Sequence, residues 1–186
     1  MEEKIRVFVC VDFPSEVVKE VARVGEILGK TKFTGKLTEL ENLHLTLKFL
    51  GEIDSENLEK VRESLRGVRM EGFEAKLGGI GIFSYRGKPR IVWIKLNGKG
   101  IYELQKKVDS VLKGCRFALE ERFMSHLTVA RVKYVRDLKG FYGYVKNIKV
   151  RLLKFKVEEF KLMSSELDRI GPRYEILEEY KLKNEK

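Results

Sequence analysis

Two histidines are all that this chain of 186 residues contains, and each opens the same kind of phrase: His44-Leu45-Thr46-Leu47 and His126-Leu127-Thr128-Val129. Histidine is the one side chain whose ordinary pKa lets it give or take a proton near neutrality. A facing pair therefore supplies one general base and one general acid. A threonine hydroxyl two residues on can donate to an anionic oxygen beside the imidazole. Both phrases alternate polar with apolar residues, over Leu43 to Phe49 and Ser125 to Ala130, which is the pattern of a half-buried strand. Positions i and i+2 of a strand share a face. His44 with Thr46, and His126 with Thr128, are thus predicted side by side, with Leu45, Leu47, Leu127 and Val129 on the packed face. The plain alternative is two unrelated strand histidines bonded to nearby backbone, and it does not account for the duplication.

The elements that must carry these phrases repeat as well. Val7 to Val11 reads as a strand, and Pro14-Ser15 open a helix with the apolar stripe Val17, Val18, Val21, Val24 and Leu28, closed near Gly29. The first histidine strand is predicted to end at Leu50, before Gly51. Asp54-Ser55 begin a second helix with Leu58, Val61 and Leu65 on one face, and a strand from Phe73 to Phe83 follows, its glycines pointing to a bulge or a close backbone approach. The order then recurs: a strand from Arg90 to Leu96, a helix from Gly100 to Lys113, the second histidine strand, and a short helix from Arg136 to Lys146. A strand from Phe155 to Ser164 and a closing strand from Tyr174 to Leu182 finish the chain, joined by a hairpin through Asp168 to Arg173. The two motifs stand 82 residues apart, so the repeat is a duplication rather than a short-period array. The expected fold class is α+β: one domain over residues 1–186 with two pseudo-symmetric halves, about 1–85 and 86–186. Two antiparallel sheets would face each other across a central groove, with the helices outside.

Composition narrows the partners. The net charge is +10, from 38 Lys and Arg against 28 Asp and Glu, which favours a polyanion and most simply nucleic acid. The basic residues gather in Arg86-Gly87-Lys88-Pro89-Arg90, from Arg131 to Lys139, and from Lys146 to Lys156. No run of eighteen apolar residues and no signal-peptide pattern is present, so no membrane is expected and the cytoplasm is the expected location. Cys10 and Cys115 stand in unrelated contexts and read as reduced thiols. With no Cys/His cluster and no HExxH, no metal and no other cofactor is expected. Charged residues make up 35% of the chain and glutamine occurs only at Gln105, a balance typical of hosts from very hot environments.

Paired His-x-Thr phrases in a duplicated α+β chain resemble the 2H phosphoesterase superfamily, and more narrowly its RNA 2′,3′-cyclic phosphodiesterases, also called 2′-5′ RNA ligases. The resemblance covers the chain almost end to end. It is carried by Arg6 to Pro14, His44 to Gly51, Pro89 to Trp93 and Phe123 to Arg131, the histidine phrases being the specific part. Ser84 and Ser125 stand where relatives often have proline. The resemblance implies opening of a terminal 2′,3′-cyclic phosphate, with His44 as proton donor, His126 as base, and a 2′-phosphate product. With an RNA 5′-hydroxyl in place of water, the same site would make a 2′-5′ linkage and need no nucleotide. Thr46 and Thr128 would hold non-bridging phosphate oxygens, and Arg131 would offset developing charge. Strict alternation, however, puts Arg131 on the face opposite His126 and puts Lys48 on the His44 face, where a solvated edge lysine is the equal alternative.

Tyr134, Phe141, Tyr142 and Tyr144 lie among basic residues and are candidates for base stacking, with core packing as the commoner role. The implied partner is RNA with a 2′,3′-cyclic phosphate end, tRNA fragments among the candidates, acted on by a monomer. The competing readings are a relative that cleaves another small phosphodiester, such as a 2′-5′ oligonucleotide or a cyclic nucleotide, and a non-catalytic RNA-binding protein.

Overall fold

The apolar stripe Val17, Val21, Val24 and Leu28 is buried along one side of a helix, α1 (Ser15–Gly29), and alternation of period two builds the strands on either side of it. In the computed structural model, which describes residues 4–167 and 172–183, the first half of the chain runs β1 (Ile5–Val11), α1, β2 (Phe33–Leu37), β3 (Leu45–Ile53), α2 (Ser55–Arg66) and β4 (Phe73–Tyr85). The second half runs β5 (Lys88–Asn97), α3 (Lys99–Lys113), β6 (His126–Val135), α4 (Leu138–Asn147), β7 (Lys154–Val157), β8 (Glu159–Leu167) and β9 (Pro172–Lys181). Helices α2 and α4 both begin at an aspartate cap: Asp54 accepts from the Asn57 N–H and Asp137 from the Gly140 N–H.

The strands form two antiparallel sheets, in the orders β3-β1-β8-β9 and β2-β6-β5-β4-β7. Sheet membership crosses the sequence halves. β2 and β4 come from the first half and join the sheet of the second motif, while β8 and β9 come from the second and join the sheet of the first. The helices cross over too. α1 follows β1 of the four-stranded sheet yet packs on β6 and β2, and α3 follows β5 of the five-stranded sheet and packs on β3 of the other sheet as well as on β4 of its own. Gly25 of α1 lies close enough to Leu37 and Val129 that an added Cβ would touch both. Leu45, Leu47, Leu127 and Val129 are all buried, as the alternation required.

Three expectations need correction. β3 does not stop at Leu50: Gly51 takes a φ of 74° and the strand runs on to Ile53 past an irregular pairing with β1. The single strand expected from Phe155 to Ser164 is two, β7 and β8, which break at Glu158 and pair in different sheets. The segment 33–42 holds β2 and a 3₁₀ turn at Leu40–Asn42 that the pattern did not signal, because β2 is largely exposed and lacks alternation. The hairpin expected through Asp168 to Arg173 falls largely on residues outside those described, although β8 and β9 on either side of it pair antiparallel.

Candidate active site

Residues 44–53 and 126–135 follow one burial pattern position for position. The histidine and threonine are half-buried, the two residues after each threonine are both buried, and the next, Phe49 or Arg131, is exposed. Two buried residues in a row break the alternation, and the cause is a β-bulge in each strand. Cys10 pairs with Thr46 and Val9 with Lys48, leaving Leu47 as an extra residue; Trp93 pairs with Thr128 and Val92 with Ala130, leaving Val129 as the other. The extra residue shifts the phase of everything after it. Arg131 therefore returns to the face of His126 instead of the opposite one, and Phe49 occupies the equivalent place on β3. Lys48 is turned the other way, into the packed layer, where it is 6% exposed and bound to Asp109 and the Ala118 carbonyl. The expectation that it faces the groove or solvent is thus corrected.

The two imidazoles are held alike. His44 Nδ1 lies 2.8 Å from the Asn42 carbonyl and His126 Nδ1 lies 2.7 Å from the Met124 carbonyl. A carbonyl only accepts, so Nδ1 carries a proton in both rings and Nε2 is left as the nitrogen available for proton transfer. Each ring is also packed by two aromatics from its own sheet. His44 sits 4.8 Å from Phe8 and 5.1 Å, edge to face, from Tyr174. His126 sits 5.0 Å from Phe83 and 6.2 Å from Trp93, both edge to face. Gly81 makes room for the Trp93 ring, since a Cβ there would fall 2.4 Å from it.

Both sheets line a groove of about 290 Å³ that brings His44, Thr46, His126, Thr128 and Arg131 together, with Phe49 and Tyr174 among its other walls. Its rim is the segment from β2 to β3, which crosses between the sheets and is tied down where Thr38 Oγ1 donates to the Thr128 carbonyl at 2.8 Å. Burial pushes the His44 imidazole below its ordinary range, opposed by the Asn42 carbonyl and the charge of Asp12. Burial raises the Tyr174 phenol, and the positive charge of Arg131 works against that shift. Such a groove can place an anionic ester between two proton-transfer groups, two hydroxyl donors and one guanidinium.

A family profile described as LigT-like phosphoesterase matches residues 11–93 and again 95–174, once over each histidine motif. The chain belongs to this phosphoesterase family. The phosphoesterase is 33% identical to the RNA 2′,3′-cyclic phosphodiesterase of Methanocaldococcus jannaschii, over 95% of this chain and 100% of that one. It is 33% identical to the enzyme of the same name from Thermotoga maritima, over 94% of each chain. Its structure superposes on a Thermus thermophilus protein with a TM-score of 0.81 at 29% identity, over 98% of this chain and 100% of that one. On LigT of E. coli the TM-score is 0.75 at 23% identity, which speaks to the fold.

Sequence reasoning missed several residues of the phosphoesterase groove. Phe49 looked like a strand former, and only the bulge makes it a groove residue, 71% exposed. Tyr174 lies far along the chain and reaches His44 through the pairing of β8 with β1 and β9. Asn42 and Met124 act through their carbonyls, which leave no mark in side-chain chemistry. Of the aromatic candidates, Phe141 is core, the Tyr142 hydroxyl lies 2.5 Å from Ser84 Oγ, and Tyr144 bonds the Ile27 carbonyl; Tyr134 and Tyr144 are exposed.

Proposed function

We propose that this phosphoesterase opens RNA 2′,3′-cyclic phosphate ends to 2′-phosphate ends by acid–base catalysis between His44 and His126, as a cytoplasmic monomer that uses no metal. The observation that carries the reading is the matched presentation of the two imidazoles. Each donates Nδ1–H to the carbonyl two residues back, and both line one groove with two threonines and an arginine. The curated relatives named RNA 2′,3′-cyclic phosphodiesterase supply the substrate class. The free thiols Cys10 and Cys115 fit a reducing compartment, and no helix among the described residues is long and apolar enough to cross a membrane.

In the proposed cycle, His126 Nε2 takes a proton from water as the water oxygen attacks phosphorus. The bond from phosphorus to the ribose 3′ oxygen breaks, and His44 Nε2–H protonates that oxygen. Thr46 and Thr128 donate to the non-bridging oxygens, and Arg131 offsets the charge that grows on them. The role of each histidine comes from family resemblance. The negative charge of a bound phosphodiester favours the imidazolium of His44, against the effect of its burial. With an RNA 5′-hydroxyl as nucleophile, the same steps join two ends through a 2′-5′ linkage, the energy coming from the strained ring.

The test is an oligoribonucleotide ending in 2′,3′-cyclic phosphate, incubated in EDTA with wild type, His44→Ala and His126→Ala. We expect metal-free formation of 2′-phosphate by the wild type, and a fall in kcat of roughly 10²–10⁴ in each variant. Activity that EDTA abolishes and added metal restores would refute the two-histidine mechanism, as would undiminished activity in either variant.

A further inference from the structure

Charge is divided unequally between the two sheets. The strands of the five-stranded sheet carry nine Lys and Arg against a single acid, Glu74. Those of the four-stranded sheet carry five against six. Most of the net charge of +10 therefore resides in one wall of the groove.

Directly opposed residues of an antiparallel pair share a face, so the groove face of the basic sheet can be followed outward. Arg131 is opposite Lys36 on β2 and Ile91 on β5, and Ile91 is opposite Phe83 on β4. Past a bulge at Arg90, Lys88 is opposite Tyr85 at the mouth of the hairpin. Lys88, Arg90, Arg131 and Lys133 are exposed, and among the described residues none of the four is ion-paired. The hairpin tip turns through Arg86 and Gly87 at φ of 50° and 73°, the two-residue turn that matches strand twist. Tyr142 of α4 pins it, with its hydroxyl 2.5 Å from Ser84 Oγ and 3.4 Å from the Gly87 carbonyl. The Arg86 guanidinium lies 5.2 Å from the centre of the Tyr85 ring, which is 59% exposed. Among the described residues, every Lys and Arg in the strands of the opposite sheet is ion-paired, Lys48 with Asp109, Arg173 with Glu175 and Lys181 with Glu159 among them. Lys161 is ringed by Asp12, Glu179 and Glu159 at 2.7, 3.0 and 3.6 Å, and Arg6 pairs with Glu52 at 3.1 Å.

We propose that the open face of the five-stranded sheet, from Arg131 to the β4–β5 hairpin, is a track for the phosphate backbone of single-stranded RNA leading away from the reacting end. The proposal rests on the reading that the groove takes an RNA end. It adds that the enzyme grips several nucleotides and prefers polynucleotide ends to mononucleotides. A basic surface interleaved with exposed rings is the usual way to hold a single strand without reading its sequence, and the facing wall, its bases paired with acids, offers a phosphate chain no comparable surface.

The test compares a nucleoside 2′,3′-cyclic phosphate with a decaribonucleotide carrying the same end, at low and high salt. The track variant is Lys88→Glu with Arg90→Glu. The control is Lys106→Glu with Lys107→Glu, on the exposed side of α3, with the same change in net charge. In the track variant we expect the oligomer-to-mononucleotide ratio of kcat/KM to fall about tenfold, and the slope of its logarithm against log salt to become shallower by about 1.4, the share of two phosphate contacts on a single strand. The control should keep both. Equal effects in the two variants, or none in either, would overturn the track. Fluorescence anisotropy of a labelled decaribonucleotide with a 2′-phosphate end reads binding without turnover. A wild type that converts neither substrate refutes the proposed chemistry. Weaker and less salt-sensitive binding by the track variant alone would still uphold the track, and equal binding by all three proteins would sink it.

Discussion

At the scale of single residues, the two histidines share a geometry and differ in surroundings. His44 is pushed toward its neutral form by burial, and Asp12 works the other way. Removing that charge in Asp12→Asn lowers the His44 pKa further, because a nearby anion favours the imidazolium. A proton donor must be protonated to act, so the alkaline limb of the kcat/KM profile should move to lower pH in this variant, and activity at neutral pH should fall. Steady-state kinetics across pH on the cyclic substrate checks the assignment. Movement of the acidic limb to lower pH instead would make His44 the base and exchange the roles.

At the scale of elements, the buried ion pair of Lys48 and Asp109 joins the first histidine strand to the approach of the second. Lys48 also donates to the Ala118 carbonyl at 2.5 Å, and Asp109 accepts from the Glu120 N–H and from Gln105 Nε2, both at 2.8 Å. Burial alone would raise the Asp109 carboxyl, but these donors hold it below its usual range. Its share of stability is therefore present above the ordinary carboxylate range and lost as acid protonates it. Lys48→Ala leaves the carboxylate buried without its cation and should cost about 3–5 kcal/mol in denaturant unfolding, much of it recovered in Lys48→Met with Asp109→Asn, whose amide oxygen still accepts from the Glu120 N–H and Gln105. Equal stability of the single and double variants would refute this account.

The same residue marks how far the sequence could be read. The His-x-Thr phrases, four helices and most strands follow from periodicity and caps such as Asp54. The faces of Lys48 and Arg131 do not, because a bulge is set by the partner strand, and nothing in Leu47 or Val129 announces that it will be the extra residue. The break at Glu158 was legible but slight: Phe155 and Val157 set one alternation and Phe160 and Leu162 another, one residue out of phase across Glu158-Glu159.

At the scale of the molecule, the exchange of strands and helices makes the halves interdependent. A fragment ending near residue 85 keeps β1 and β3 but loses β8, which covers the other edge of β1. The complementary fragment loses β2 and β4, the neighbours of β6 and β5. Calorimetry on the whole chain should show one transition with matching calorimetric and van't Hoff enthalpies. Neither fragment alone should unfold cooperatively, and a cooperative transition in either would show that half to be an autonomous unit.

The two bulged strands have one more consequence, which concerns product isomers. A cyclic phosphate can open to either of two monoesters, depending on which ribose oxygen leaves, and turning the ring end over between two imidazoles presented alike exchanges one outcome for the other. Residues common to both strands cannot make that choice. It falls to the positions where the two strands differ, chief among them Phe49 on one and Arg131 on the other, both lining the groove. The regiochemistry of ring opening is thus a chemical gauge of how far two strands of matching pattern differ in the side chains they present.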